Sequence, residues 1–285
     1  MRAHGLFRAE AIASWALFHE GQSVENAMSS LPSLRPRRSL CHYRLRILCG
    51  MVRLPTLHLR FRRFKPYTMI PRLLYVKNLH LASEYRYVPG AVVECGTWRG
   101  GMIAGIASIL GDEREYFLYD SFEGLPDAKP IDGAAARAWQ DDKGSPSYFD
   151  NCRAEVAEAE RAMQLSGARN WHIVKGWFKD TLPSFPADTR IAILRLDGDW
   201  YESTMTCLEN LYPRVVPGGI IIVDDYHVWD GCSRAVHDYL SRKGLDDRLC
   251  QWDNDIAYIL KRGVSFSAFD PVPSPRNSAI DGVRV

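Results

Sequence analysis

Four aspartates stand directly after two apolar runs of the sequence. The runs occupy residues 191–196 and 219–223, and the aspartates that follow them are Asp197, Asp199, Asp224 and Asp225. Such runs are typical of buried parallel strands, whose carboxyl ends share one edge of a sheet. Carboxylates gathered at one edge repel one another unless a cation or a proton neutralises them. Because no His or Cys pattern accompanies them, we expect Asp197, Asp224 and Asp225 to bind Mg²⁺ or another divalent cation that prefers oxygen ligands.

A metal beside a substrate hydroxyl lowers the pKa of that hydroxyl, and a base must then accept the proton. Asp199 is the preferred candidate for this base, and His227 is the second candidate. Asp199 could instead cap the helix that we expect to begin at Glu202. Capping two helices does not account for four carboxylates, so the metal interpretation is favoured.

A glycine-rich turn, residues 94–101, lies where a first strand meets a first helix. Its glycines allow the backbone to approach a ligand at the helix N-terminus, with Gly96 as the first of them. The spacing is not that of the dinucleotide fingerprint, and Glu94 would repel a pyrophosphate. A carboxylate there suits a cationic ligand such as S-adenosylmethionine. Asp120, at the end of the next strand, stands where an acidic side chain would accept both ribose hydroxyls of a nucleoside cofactor.

Three aromatic residues flank these acidic positions and are candidates to stack on an adenine ring. They are Phe122, Trp177 and Phe178. Large aromatic side chains are more often core residues than cofactor contacts, so both interpretations stay open for each of them. Trp177 is the best candidate because it follows a predicted strand, 171–174, at the same edge of the sheet.

The elements that position these residues alternate between strand and helix. Strands are predicted at 91–94, 116–119, 171–174, 191–196, 219–223 and 257–261, and helices at 102–110, 148–165, 202–211 and 232–242. This order predicts an α/β fold with a doubly wound, mostly parallel sheet. Residues 121–146 are rich in Gly, Pro and Asp, and we interpret them as a lid or substrate loop.

The composition suits one well-filled α/β domain with an extension. The chain has 285 residues, of which 46% are hydrophobic and 25% are charged. The net charge of +2 does not favour a nucleic-acid partner. The seven cysteines are never spaced as CxxC, which favours reduced thiols in a cytoplasmic protein. We see no transmembrane span and no uninterrupted apolar core of a secretory signal.

The basic residues are unevenly distributed, since residues 26–83 contain no Asp or Glu. A basic segment interleaved with apolar residues could contact an anionic membrane surface or a partner protein. A solvated basic face on an extension is the favoured interpretation. Nothing in the sequence excludes a homo-oligomer.

Six segments, in order, resemble the macrocin O-methyltransferase family, which includes sugar O-methyltransferases of antibiotic pathways. The segments are Lys65–Met69, Val93–Gly101, Tyr119–Pro126, Gly176–Pro183, Leu196–Thr204 and Pro217–Tyr226. The resemblance implies a Rossmann-like class I methyltransferase domain at residues 65–265. A basic N-terminal extension would occupy residues 1–64 and a loosely ordered tail residues 266–285.

The resemblance implies magnesium-dependent methyl transfer from S-adenosylmethionine to a hydroxyl of a small molecule, such as a sugar on a glycosylated natural product or a polysaccharide precursor. It supports the metal, base and ribose roles given above. It adds four cofactor-binding positions within the matching segments. Thr68 and Met69 would belong to a lid in the N-terminal part of the domain, and Thr97 and Ser121 would lie beside Gly96 and Asp120. Glu94 and Gly96 would belong to the cofactor loop.

Two other functions remain to be weighed. A catechol-type O-methyltransferase would use the same cofactor and metal on a phenolic diol. A phenolic hydroxyl has a lower pKa than a sugar hydroxyl, so its deprotonation depends less on a base such as Asp199. A non-catalytic scaffold held at a membrane or partner by the basic segment would not need four converging carboxylates.

Overall fold

The computed structural model describes residues 56–262. Residues 56–64 are helical. Six further helices of nine residues or more follow: α1 (Arg72–Glu84), α2 (Gly101–Leu110), α3 (Gly133–Asp141), α4 (Val156–Ser166), α5 (Tyr201–Leu211) and α6 (Asp230–Arg242). The strands are β1 (Ala91–Cys95), β2 (Tyr116–Asp120), β3 (Trp171–Lys175), β4 (Ile191–Leu196), β5 (Val215–Val223), β6 (Leu249–Trp252) and β7 (Ile256–Leu260).

The seven strands form one sheet in the order β3-β2-β1-β4-β5-β7-β6. The first five strands pair in parallel, and β7 runs antiparallel to both β5 and β6. The order reverses between β1 and β4, which is the switch point where ligands bind in open α/β sheets. The predicted mostly parallel, doubly wound sheet is confirmed.

The core lies on both faces of the sheet. Apolar residues of α1, α2 and α4 cover one face, and those of α5 and α6 cover the other. The strands β1, β2 and β4 are buried along their whole length, as their continuous apolar runs indicate. Leu57 and Phe64 also belong to the core, so its packing begins before residue 65, where the sequence analysis placed the start of the domain.

Three elements differ from the sequence-based expectation. The predicted loop contains α3, and we call the connection from β2 to α4, residues 121–155, the insertion. The helix predicted from residue 148 begins only at Val156, because residues 149–152 adopt left-handed backbone angles with φ between 49° and 60°. The short strand β6 was not predicted.

Part of the predicted organisation lies outside the described residues. This holds for the extension as far as residue 55 and for the tail from residue 266. Within residues 56–262, no helix combines the length and the apolar composition needed to cross a membrane.

Candidate active site

The carboxyl ends of β1, β2, β4 and β5 open into a cavity of about 840 Å³. Most of the residues predicted for the site line it. They are Thr68, Met69, Glu94, Gly96, Thr97, Asp120, Ser121, Trp177, Asp197, Asp199, Asp224 and Asp225. The structure therefore brings together the glycine-rich turn, the aspartate at the end of β2 and the four aspartates that follow β4 and β5.

The end of the glycine-rich turn, where helix α2 begins, packs against the backbone of Tyr67, a residue that precedes helix α1. Gly96 has a φ of +87°, a left-handed value that favours glycine, and its N–H donates to the carbonyl of Tyr119 at 2.8 Å. At the start of α2, a Cβ on Gly101 would overlap the carbonyl of Tyr67. This close approach places the next two residues, Thr68 and Met69, at the cavity.

Asp120 is a buried carboxylate fixed by the backbone. Its two oxygens accept the N–H groups of Trp98 and Phe122, each at 2.7 Å. Burial raises the pKa of Asp120, and these hydrogen bonds oppose the increase. Each carboxylate oxygen has a second lone pair, so the side chain can still accept hydroxyl groups from a ligand in the cavity.

The aromatic candidates divide into two groups. Trp177 and Phe178 line the cavity. Phe122 does not line it, because its left-handed backbone, with a φ of +58°, directs the ring into the hydrophobic core, where the residue is 4% exposed. Of the two interpretations left open for Phe122, the structure thus supports the core residue.

Glu94 and Arg195 form an ion pair in which both side chains are 1% exposed. Nη1 of Arg195 lies 2.9 Å from Oε1 of Glu94. The other oxygen, Oε2, is buried and has no hydrogen-bond partner among the described residues. Burial raises the pKa of Glu94 to about 8, although Arg195 lowers it. A buried acceptor without a donor at the wall of a cavity fits a cationic or hydrogen-bond-donating ligand group.

Arg195 also contacts two of the predicted metal ligands. Its guanidinium lies 2.6 Å from Oδ2 of Asp197 and 2.6 Å from Oδ1 of Asp224. Burial lowers the pKa of Arg195, but the surrounding carboxylates outweigh this effect and hold it above its usual value. Arg195 was not predicted to be a site residue. Its signal was a single charged residue inside the apolar run of β4.

Three carboxylates come closest to a metal-binding arrangement. Oxygen atoms of Asp197, Asp199 and Asp225 all lie within 4.8 Å of one another. Asp224, paired with Arg195, is not in this group, whereas Asp199, predicted as the base, is. Burial raises the pKa of Asp197 to about 6, and the neighbouring carboxylate of Asp224 adds to the increase. Clustered oxygen donors with this mutual repulsion fit a divalent cation.

The two candidate bases lie in different places. Burial and the charge of Asp197 raise the pKa of Asp199 to about 7, and a hydrogen bond from Trp229 opposes this increase. His227 is exposed, and its Nε2 lies 3.3 Å from Nε2 of Gln251. It does not line the cavity, because the turn after β5 directs it towards β6. The structure therefore does not bring His227 to the site.

The whole domain matches a known family. The sequence model of the macrocin O-methyltransferase (TylF) family matches residues 64–261. The chain belongs to this family. The resemblance inferred from the six sequence segments is confirmed.

Two O-methyltransferases are each 40% identical to this chain over the matched residues. One is the 8-demethyl-8-(2,3-dimethoxy-alpha-L-rhamnosyl)-tetracenomycin-C 4'-O-methyltransferase of Streptomyces olivaceus, matched over 58% of this chain and 64% of that protein. The other is the demethyldecarbamoylnovobiocin O-methyltransferase of Streptomyces niveus, matched over 60% of this chain and 66% of that protein. The chain thus spans slightly less than two thirds of each relative.

Solved structures share the fold. The O-methyltransferase NovP is 33% identical and superimposes with a TM-score of 0.58 over 69% of this chain and 83% of that chain. The calicheamicin methyltransferase CalS11 is 20% identical, with a TM-score of 0.54 over 72% of this chain and 91% of that chain. Because CalS11 is only 20% identical to this chain, its likeness shows a shared fold and nothing more.

Proposed function

We propose that this protein transfers a methyl group from S-adenosylmethionine to a sugar hydroxyl of a glycosylated natural product, with a divalent metal ion, Mg²⁺ in the first place. The observation that carries the proposal is the convergence of three carboxylates in the cavity that also contains the glycine-rich turn and Asp120. Membership of the macrocin O-methyltransferase family supports it.

The cofactor site would use the residues at the carboxyl ends of β1 and β2. Asp120 would accept the ribose hydroxyls with its remaining lone pairs, and Oε2 of Glu94 would accept a donor from the amino-acid part of the cofactor. Trp177 follows β3 and lines the cavity, and its ring would stack on the adenine.

The metal site would use the residues that follow β4 and β5. Asp197 and Asp225 are the proposed ligands. Asp224 would be the third ligand, with its carboxylate binding the ion in place of Arg195. A bound divalent ion would supply a Lewis acid that lowers the pKa of the acceptor hydroxyl. The residues of the chain would hold this hydroxyl beside the methyl donor and keep the reacting atoms in line.

Asp199 would take the proton of the hydroxyl. The acceptor oxygen would form the new bond to the methyl carbon, while the bond from sulfur to that carbon breaks and its electron pair stays on sulfur. The products are the methyl ether, S-adenosylhomocysteine and a protonated Asp199. A sugar hydroxyl is a weaker acid than a phenol, so a base within reach is needed more for this acceptor than for a catechol.

The test is a methyl-transfer assay with the full chain and labelled S-adenosylmethionine. The acceptors are 8-demethyl-8-(2,3-dimethoxy-alpha-L-rhamnosyl)-tetracenomycin C and demethyldecarbamoylnovobiocin, which appear in the names of the two relatives described above, together with simple catechols. We expect methylation of a glycoside that stops in EDTA and returns with Mg²⁺. Turnover of catechols alone would overturn the sugar acceptor, and full turnover in EDTA would overturn the metal.

A pair of variants makes the metal test specific. Asp225→Asn should abolish the response to Mg²⁺, because it removes a carboxylate from the cluster. Asp188→Asn makes the same chemical change on the exposed surface and should retain it. Equal responses of the two variants would contradict the assignment of Asp225.

A further inference from the structure

Trp229 donates its indole N–H to Asp199. The distance from Nε1 of Trp229 to Oδ1 of Asp199 is 2.9 Å. Trp229 is the residue before helix α6 and does not line the cavity. Its own backbone N–H donates to the carbonyl of Asp225 at 3.0 Å. One residue thus connects the proposed base with the turn that carries a proposed metal ligand.

The indole ring is held in place by two other tryptophans. The ring of Trp229 packs edge-on against Trp200, with 5.3 Å between ring centroids, and against Trp139 of the insertion, with 6.0 Å. The N–H groups of these two neighbours donate elsewhere, to the carbonyls of Pro126 and Ser147. The packing fixes the direction of the Trp229 donor, and a fixed donor costs little entropy when the hydrogen bond forms.

The backbone of Asp199 is also constrained. Its N–H donates to Oδ2 of Asp225 at 3.0 Å, and its φ of +57° lies in the left-handed region. These features place the Cα atom but leave rotation of the carboxylate undetermined. The hydrogen bond from Trp229 settles that rotation, because it engages Oδ1 and leaves Oδ2 for a proton from the acceptor.

We propose that Trp229 is a positioning residue for the methyl transfer, acting through the carboxylate of Asp199. The inference rests on the proposed function, since it presumes that Asp199 is the base. Trp229 does not line the cavity. Its removal should therefore slow the chemical step without weakening the binding of the cofactor.

The first experiment removes the donor and keeps an aromatic side chain at this position. Trp229→Phe should lower kcat by about 10- to 100-fold, the range expected for a lost hydrogen bond to a charged group. The KM for S-adenosylmethionine and the Kd of S-adenosylhomocysteine should stay within about twofold of the wild-type values. Trp252→Phe is the matched control, because it makes the same change in β6, where the ring packs against His80 and does not line the cavity. Its kcat should stay within about twofold.

A double-mutant cycle separates positioning from a structural defect. In the Asp199→Asn protein, which lacks the base, Trp229→Phe should cause little further loss of kcat, because the two residues act as one unit. Two losses that multiply in the double variant would overturn the proposal. A kcat of Trp229→Phe within about twofold of wild type would also overturn it.

Nuclear magnetic resonance tests the contact without turnover. In protein labelled with ¹⁵N-tryptophan, the indole N–H signal of Trp229 should move upfield in Asp199→Asn, while those of Trp171 in β3 and Trp252 in β6 stay in place. A Trp229 signal that does not move would refute the contact. This experiment does not use the Trp229→Phe variant, so it remains valid even when that variant fails to fold. Wild-type protein that methylates no acceptor while the signal shifts as expected would overturn the proposed function and leave the contact intact.

Discussion

A Cβ on Gly96 would overlap the carbonyl oxygen of Asp197. The glycine-rich turn after β1 and the acidic turn after β4 are therefore packed backbone to backbone. This contact keeps the two halves of the cavity together, since one turn belongs to the proposed cofactor site and the other to the proposed metal site. Any side chain at residue 96 must push them apart.

We expect Gly96→Ala to destabilise the protein by about 3 kcal/mol or more, because it combines a left-handed φ with overlap against backbone. Gly167→Ala is the matched control. Its φ of +86° is nearly the same as the +87° of Gly96, but no atom lies within 4 Å of the added Cβ. Urea unfolding should give a loss of only about 1 kcal/mol for the control. Similar losses for both variants would show that the overlap is relieved by movement of the turns.

Arg195 neutralises carboxylates in a buried position. Replacement by Met should cost about 3–5 kcal/mol, because Glu94 would lose its only charged partner among the described residues and remain buried. The control is Arg169→Met, which breaks an exposed ion pair with Asp112 and should cost less than about 1 kcal/mol. Denaturant unfolding of both variants measures the difference. A loss below about 1 kcal/mol for Arg195→Met would mean that its carboxylates become protonated at little cost.

The proposed cofactor site and the proposed metal site should respond separately to substitution. Asp120→Asn removes an acceptor at the end of β2, and the Kd of S-adenosylhomocysteine should rise by about tenfold or more. Asp225→Asn, at the end of β5, should leave this Kd within about twofold, because Asp225 contacts the acidic cluster and not the glycine-rich turn. Isothermal titration calorimetry in EDTA gives both values. An equal weakening by the two substitutions would contradict separate sites.

The strands that carry the site could be predicted from the sequence, because each buried parallel strand is a continuous apolar run with a short, recognisable end. This is why Asp120, Asp197 and Asp225 were predicted to lie near one another and do so. The short strand β6 was missed because its pairing with β7, not its own composition, makes it a strand.

Contacts between distant segments could not be predicted. The roles of Arg195 and Trp229 depend on partners in other parts of the chain: Glu94 is 101 residues away from Arg195, and Asp199 is 30 residues away from Trp229. His227 was a candidate because it follows two aspartates, but adjacency in sequence does not fix direction in a turn. The left-handed φ of Phe122 likewise has no signal in its residue type.

Asp132 fastens the insertion to helix α5. It is 3% exposed, and its two oxygens accept the N–H groups of Tyr201 and Lys129, each at 2.7 Å. Tyr201 is the first residue of α5, so its N–H has no partner within the helix, and a carboxylate there also interacts favourably with the helix dipole. The insertion should therefore loosen when this carboxylate is removed.

Limited proteolysis with trypsin measures this loosening, since the insertion contains exposed Arg137 and Lys143. Asp132→Ala should speed cleavage within the insertion by about tenfold or more, because two partly buried backbone N–H groups lose their acceptor and local opening becomes easier. Asp141→Ala changes an exposed aspartate of the same insertion and should cleave at the wild-type rate. If Asp132→Ala also cleaves at that rate, the hydrogen bonds of Gln140 to Pro126 and Asn151 are sufficient to hold the insertion without Asp132.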